Sequence, residues 1–244
     1  MVIVLGSQVI YYEHTQGRDG ARPLILLHGN GEDHHIFDTL TDALGDEYEV
    51  YAPDTRGHGM SACPEELHYS DMADDLCSFI TELTIDRPLI AGFSDGAITA
   101  LILATTHSDM ISGIISCGAN TYPKALSLSE RAQIKKAYKK KISSKKSFEK
   151  TLDTISSEIF AETGALEKLM LTEPDISDIA LSRISVPVLV LAGKNDIVRE
   201  SDTKKIFSSI PTSDLHILPD EDHDSYVVNS DKLKPYIEGF DSFF

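Results

Sequence analysis

The segment that most constrains this fold is a short apolar strand that runs directly into Gly-x-Ser-x-Gly and on into a helix. It reads Leu89-Ile90-Ala91-Gly92-Phe93-Ser94-Asp95-Gly96-Ala97. A serine hydroxyl is a weak nucleophile unless the backbone holds it out of the fold, beside a base and hydrogen-bond donors. A sharp strand-to-helix turn does this. Gly92 and Gly96 flank Ser94 because a side chain at either position would collide as the chain doubles back.

Other segments end in chemistry at matching places. Pro23-Leu24-Ile25-Leu26-Leu27 is an apolar strand that stops at His28-Gly29-Asn30-Gly31. Val186 to Leu191 is a second buried strand, leading to Ala192-Gly193-Lys194-Asn195-Asp196, and Leu215–Leu218 leads to Pro219-Asp220-Glu221-Asp222-His223. Ser94, Asp196 and His223 therefore each follow the carboxyl end of a predicted strand, the edge of a parallel sheet where ligands bind. The order Ser…Asp…His at three strand ends is that of the α/β-hydrolases.

On these residues the chain resembles the α/β-hydrolase superfamily, in its compact form with a small helical cap, from about Gln8 to Phe244. Pro53-Asp54-Thr55-Arg56-Gly57-His58-Gly59-Met60-Ser61 resembles the segment that follows the fourth strand in that family, and Lys194-Asn195-Asp196 resembles its acid turn. Asp222 departs from the pattern, since relatives often carry Gly before the histidine. The resemblance implies an about eight-stranded, mostly parallel sheet with helices on both faces and a helical cap inserted after the sixth strand. Core residues are 1–120 and 184–244, and the cap is 121–183. It further implies Ser94 as nucleophile, His223 as general base and Asp196 as the acid that orients it. The backbone N–H groups of Asn30 and Asp95 form the implied oxyanion hole, with His28, Gly29 and Gly31 shaping the loop. After the sixth strand the chain reads Cys117-Gly118-Ala119-Asn120, so no carboxylate competes with Asp196 there.

The implied activity is cofactor-independent cleavage of a carboxylic ester or similar small acyl compound. Carbon–carbon bond hydrolysis and thioester cleavage share the same three groups, and a non-catalytic ligand-binding protein is the alternative from another class. A serine nucleophile disfavours the branches that form an alkyl-enzyme ester on a carboxylate. No metal is expected: the pair His34-His35 reads as a helix start, and His58 as part of a turn.

The net charge of −17 argues against nucleic acid. No segment approaches the ~20 apolar residues of a membrane span, and Met1–Gly6 lacks the basic head of a signal peptide. Cys63, Cys77 and Cys117 are scattered and odd in number, which suits a reducing cytoplasm. Charge is uneven: residues 121–170 hold 11 Lys/Arg and 6 Asp/Glu. Apolar residues Ile134, Tyr138, Ile142, Leu152, Ile155 and Ile159 keep helical spacing there, so the lysines read as a solvated face, with steering of anionic substrates toward the cleft as the alternative. Ser127 and Glu130 make a capping box.

Strands are predicted at Val2–Leu5, Gln8–His14, Leu24–His28, Glu49–Ala52, Leu89–Phe93, Ile111–Cys117, Val186–Ala192 and Asp214–Leu218. Helices are predicted at His35–Leu44, Ser70–Leu83, Asp95–Thr106, Ser201–Ser209 and Ser225–Phe240.

Overall fold

Continuous apolar runs such as Leu24–Leu27 and Val188–Ala192 are the mark of strands covered on both faces. In the computed structural model, which describes residues 1–144 and 160–243, they lie at the centre of one sheet. Its strands are β1 (Val2–Leu5), β2 (Gln8–Thr15), β3 (Arg22–Leu27), β4 (Tyr48–Pro53), β5 (Leu89–Phe93), β6 (Gly113–Cys117), β7 (Val188–Gly193) and β8 (Ser213–Leu218). The order is β1-β2-β4-β3-β5-β6-β7-β8. β1–β2 and β2–β4 pair antiparallel, and every other pairing is parallel. The eight strands were all anticipated, with ends shifted by a residue or two.

Because side chains alternate across a strand, β3 sends Ile25 and Leu27 to one face and Leu24 and Leu26 to the other. The first face is covered by α2 (Tyr69–Glu82) and α3 (Asp95–His107), the second by α1 (Asp38–Leu44) and α8 (Lys234–Glu238). Between β6 and β7 lie α4 (Leu128–Ser144), α5 (Ala165–Thr172) and α6 (Asp178–Leu181), and α7 (Glu200–Ser209) precedes β8. Ser127 Oγ accepts from the Glu130 N–H at the start of α4. Phe160, Leu166 and Leu169 of this insertion belong to the main core, while Leu126 and Ile134 form a smaller apolar cluster with Val198, against which Met170 and Leu171 pack.

Three expectations are corrected. The helix predicted over Ser225–Phe240 is largely turn, and only Lys234–Glu238 is α-helical. Asn229 adopts φ +49 and its N–H donates to Ile36 O, which breaks the helical path, and Pro235 then restarts it at a first-turn position. Tyr226 and Val227 are nevertheless fully buried, so the apolar pattern was real but served a packed turn. The first turn of the helix predicted at His35–Leu44 is a 3-10 turn, His34–Phe37, capped by the Asp33 side chain. On α4, Ile134 is buried but Ile142 is 41% exposed. Leu152, Ile155, Ile159 and the lysines at 145 and 146 lie outside the described residues. Lys135, Lys136, Lys139 and Lys140 are exposed, whereas Lys141 pairs with Glu167 at 2.6 Å.

β3 connects leftward to β4 in the sheet and β5 connects rightward to β6, so the adjacent ends of β3 and β5 form a topological switch point. In an open parallel sheet that crevice is where ligands bind.

Candidate active site

Ser94 sits just beyond β5 at φ 50, ψ −111, in the positive-φ region that side chains avoid. Its conformation is held from both sides. The Ser94 N–H donates to Cys117 O at 2.8 Å, and Ser94 O accepts from Ile98 N at 3.0 Å in the first turn of α3. The flanking glycines are required by contact and not by φ. A Cβ on Gly92 would lie 2.6 Å from Ala97 N, and one on Gly96 would lie 2.2 Å from Leu27 O. α3 therefore crosses β3 almost backbone to backbone, which pushes the serine out at the switch point.

His223 Nε2 lies 3.2 Å from Ser94 Oγ, and His223 Nδ1 lies 2.7 Å from Asp196 Oδ1. The loops carrying Asp196 and His223 are joined by backbone bonds, Lys194 N–H to Leu218 O at 2.8 Å and Asn195 N–H to Glu221 O at 3.1 Å. Asp196 Oδ1 also accepts from Val198 N at 2.8 Å, while the buried Oδ2 has no hydrogen-bond partner among the described residues. The Phe93 ring packs against the imidazole, with ring centroids 5.0 Å apart. Ser94, Asp196 and His223, distant in sequence, thus form one hydrogen-bonded line.

The Asn30 and Asp95 N–H groups donate no hydrogen bond among the described residues. The two residues are linked by their side chains, Asn30 Nδ2 donating to Asp95 Oδ2 at 2.8 Å. His28 is buried, and burial lowers its imidazole to about 3, so it is neutral. Its Nδ1–H donates to Gly29 O at 2.8 Å, and its Nε2 accepts from Thr55 N at 2.9 Å. It therefore stitches the Gly29–Gly31 loop to the Pro53–Ser61 turn. That turn is built around the fully buried Asp54, which accepts from His34 N and Met60 N. A Cβ on Gly59 would lie 2.1 Å from Asp54 Oδ2, and Arg56 forks onto Asp75 with two 2.7 Å bonds. His58 lines a cleft of about 410 Å³ between this turn, Gly31 and Glu32, and Ala161 and Leu166 of the segment between β6 and β7.

Two participants carried no sequence signal. Gly118 (φ +64) lies beside the imidazole, where a Cβ would stand 2.8 Å from His223 Cε1. Gly118→Ala is expected to leave a folded protein with kcat reduced by at least about tenfold, since displacing a reacting group by about 1 Å is costly. Unchanged turnover with normal circular dichroism would show that the ring has room to spare.

The second is Glu32, whose Oε2 accepts from Gly29 N at 2.9 Å. Burial pushes its carboxyl up to about 7, against the Gly29 hydrogen bond and the nearby His223, which act to lower it. Burial also acts to lower His223, but the hydrogen bond and charge of Asp196, then Asp224 and Glu32, outweigh it and leave the imidazole above its ordinary value. From sequence proximity alone, Asp222, in the acidic run Asp220–Asp224 around His223, is a carboxylate expected to contribute to this effect. That carboxylate instead turns to its own loop, accepting from Ser225 N at 3.0 Å.

The sign of the pH dependence follows. Only neutral imidazole can take the serine proton, so activity falls as pH drops through the raised His223 value. Ionised Glu32 favours the imidazolium; Glu32→Gln keeps the acceptor for Gly29 but removes the charge. The acidic limb of kcat/KM is expected to move to lower pH in Glu32→Gln, most clearly at low salt. A limb that stays in place would remove Glu32 from the electrostatics of the site.

Asp33, His34 and His35 bring one ligating atom each within 4.8 Å of one another, the described group closest to a metal site. Each already has a structural use. Asp33 caps the His35 N–H, His34 Nδ1 meets Asp54 at 2.7 Å, and His35 Nδ1 meets Asp38 at 3.0 Å. No helix among the described residues is long and apolar enough to cross a membrane.

A sheet of this order with a serine on a strained turn after β5 defines an α/β-hydrolase. The model of the alpha/beta hydrolase family matches residues 24–233, and the chain belongs to that family. It is 26% identical over 251 residues to the human serine hydrolase BPHL, covering 98% of this chain and 84% of that protein. A local match at 30% identity joins it to 2-(acetamidomethylene)succinate hydrolase of Mesorhizobium japonicum, over 42% of this chain and only 38% of that protein. Among solved structures, a thermophilic esterase from Thermogutta terrifontis superposes with a TM-score of 0.77 at 23% identity, covering 99% of this chain and 97% of that one. The protein is thus a hydrolase of the α/β type.

Proposed function

We propose that this hydrolase cleaves a carboxylic ester or similar small acyl compound through an acyl-enzyme on Ser94. The observation that carries this reading is the line Ser94 Oγ–His223 Nε2–His223 Nδ1–Asp196 Oδ1, at 3.2 and 2.7 Å, beside two N–H groups with no other acceptor among the described residues. Ser94 Oγ attacks the acyl carbon while its proton passes to His223 Nε2. Asp196 holds Nδ1–H and stabilises the imidazolium. The carbonyl oxygen gains the negative charge and is met by the N–H groups of Asn30 and Asp95. Such preorganised donors act where charge develops, and one alone is worth about 10²–10³ in kcat. The imidazolium then protonates the leaving alcohol. Water, deprotonated by the same ring, releases the acid and restores Ser94.

The names of the relatives, a serine hydrolase and an esterase, support the same chemistry. Beyond the substrate, the steps use these protein groups and one water. The thiols of Cys63, Cys77 and Cys117 are free, which fits a cytoplasmic setting.

The direct test is labelling with a fluorophosphonate, followed by a panel of esters, thioesters and β-diketones varied in acyl length. Stoichiometric labelling at Ser94 and turnover of short acyl esters are expected. An unlabelled, inactive protein would favour the ligand-binding alternative, and turnover confined to β-diketones would favour carbon–carbon cleavage.

A further inference from the structure

The two N–H groups assigned to the oxyanion stand on different supports. That of Asp95 belongs to the first residue of α3, a buried helix. That of Asn30 lies between Gly29 and Gly31, the latter at φ +75, in a segment with little backbone stiffness of its own. Donors to an oxyanion work only if both lie about 2.7–3.1 Å from one point. Something must hold the loop against the helix.

We infer that the Asp95 carboxylate is that clamp, a positioning group that fixes the separation of the two donors by binding the Asn30 side chain on one oxygen and the Tyr69 hydroxyl on the other. The inference rests on the reading of the site as a serine hydrolase. Asn30 Nδ2 reaches Asp95 Oδ2 at 2.8 Å, across 65 residues of chain, and Tyr69 Oη reaches Asp95 Oδ1 at 2.6 Å. Asp95 is 5% exposed and Tyr69 1%. The tyrosine is anchored in turn: its N–H donates to Glu173 Oε2 at 3.1 Å, and Glu173 Oε1 meets His68 Nδ1 at 2.5 Å. Glu173 follows directly after α5, so the clamp is tied to the segment inserted between β6 and β7 as well as to α2 and α3.

Charge sharpens the argument. A buried carboxylate near a developing oxyanion opposes it, because like charges repel strongly where water is excluded. The clamp is therefore useful for its geometry and not for its charge. An amide of the same shape keeps the geometry: in Asp95→Asn the oxygen can accept from Asn30, and the nitrogen can donate to the Tyr69 oxygen. Alanine at the same position keeps neither bond.

The test compares wild type with Asp95→Ala, Asp95→Asn, Asn30→Ala and Tyr69→Phe. Two quantities are measured: hydrolysis of p-nitrophenyl butyrate and inhibition by a trifluoromethyl ketone, which forms the tetrahedral oxyanion on the serine. Asp95→Ala is expected to lose roughly 30–100-fold in kcat, within the range for one oxyanion donor. Asn30→Ala and Tyr69→Phe are expected to lose about tenfold, since each leaves one leg of the clamp. KM should stay within about threefold, ketone affinity should fall by the same factor as kcat, and Asp95→Asn should recover most of the rate.

A purely structural role would lower melting temperature without linking kcat to ketone affinity. That outcome, or wild-type kcat in both Asn30→Ala and Tyr69→Phe, overturns the clamp. Should Asp95→Ala fail to fold, those two variants decide the question by themselves. A wild-type protein that neither takes the fluorophosphonate nor hydrolyses esters overturns the serine-hydrolase reading first, and the clamp with it.

Discussion

Ser94→Ala is expected to lose covalent labelling altogether and to lower kcat by about 10⁶, the scale on which removing a serine nucleophile acts where it has been measured. Among the described residues the hydroxyl's one hydrogen-bond partner is His223 Nε2 at 3.2 Å. Its loss therefore leaves no buried partner stranded, and packing is unchanged. Alanine does not relieve the turn, because φ 50 is unfavourable for any side chain. Glycine does. Ser94→Gly should be as inactive as Ser94→Ala yet more stable by roughly 1 kcal/mol, read as a higher melting temperature. Near-wild-type hydrolysis by either variant would sink the nucleophile assignment. Equal melting temperatures would mean that the turn stores no strain.

Asp196→Asn is expected to lower kcat by about 10⁴ with the fold retained. Asp196 Oδ1 faces two N–H donors, His223 Nδ1 and Val198 N, and Oδ2 is buried without a hydrogen-bond partner among the described residues. An asparagine that keeps its oxygen toward the donors leaves an amide nitrogen unsatisfied at the Oδ2 position. The opposite orientation points that nitrogen at both donors and forces the wrong imidazole tautomer. In either case the negative charge that steadies the imidazolium is gone. Glu200, one turn beyond and the nearest alternative acid in the sequence, is held by Lys194 at 2.7 Å and Lys204 at 2.6 Å. Glu200→Gln should therefore leave kcat within about twofold, as for a surface change. A nearly active Asp196→Asn beside a dead Glu200→Gln would reverse the assignment.

Apolar runs of strand length ending in Gly, Asn and Asp are a property of short windows, so every strand could be placed before any contact was known. The final helix was misplaced for the same reason. Ser225–Phe240 has apolar residues enough for a helix, but Asn229 turns left-handed to meet Ile36, a contact no local window contains. Adjacency in sequence points to Asp222 as a carboxylate that acts on His223, but it turns to Ser225. In space the neighbouring charges are those of Asp196, Asp224 and Glu32.

What the sequence determined by itself was the strand-to-helix turn at Ser94, the bare glycines around it, and the order of Ser94, Asp196 and His223 at strand ends. Each depends on residues within a few positions of one another and on the one-way run of a parallel sheet. The tertiary structure alone decided that Gly118 makes room for the imidazole, that Glu32 lies close enough to bias it, and that Asp95 binds Asn30 and Tyr69 together. Those contacts join β3, β5, β6, α2 and the loop after β8. Their distances are set by how strands align and helices pack across the sheet, which no single stretch of chain encodes.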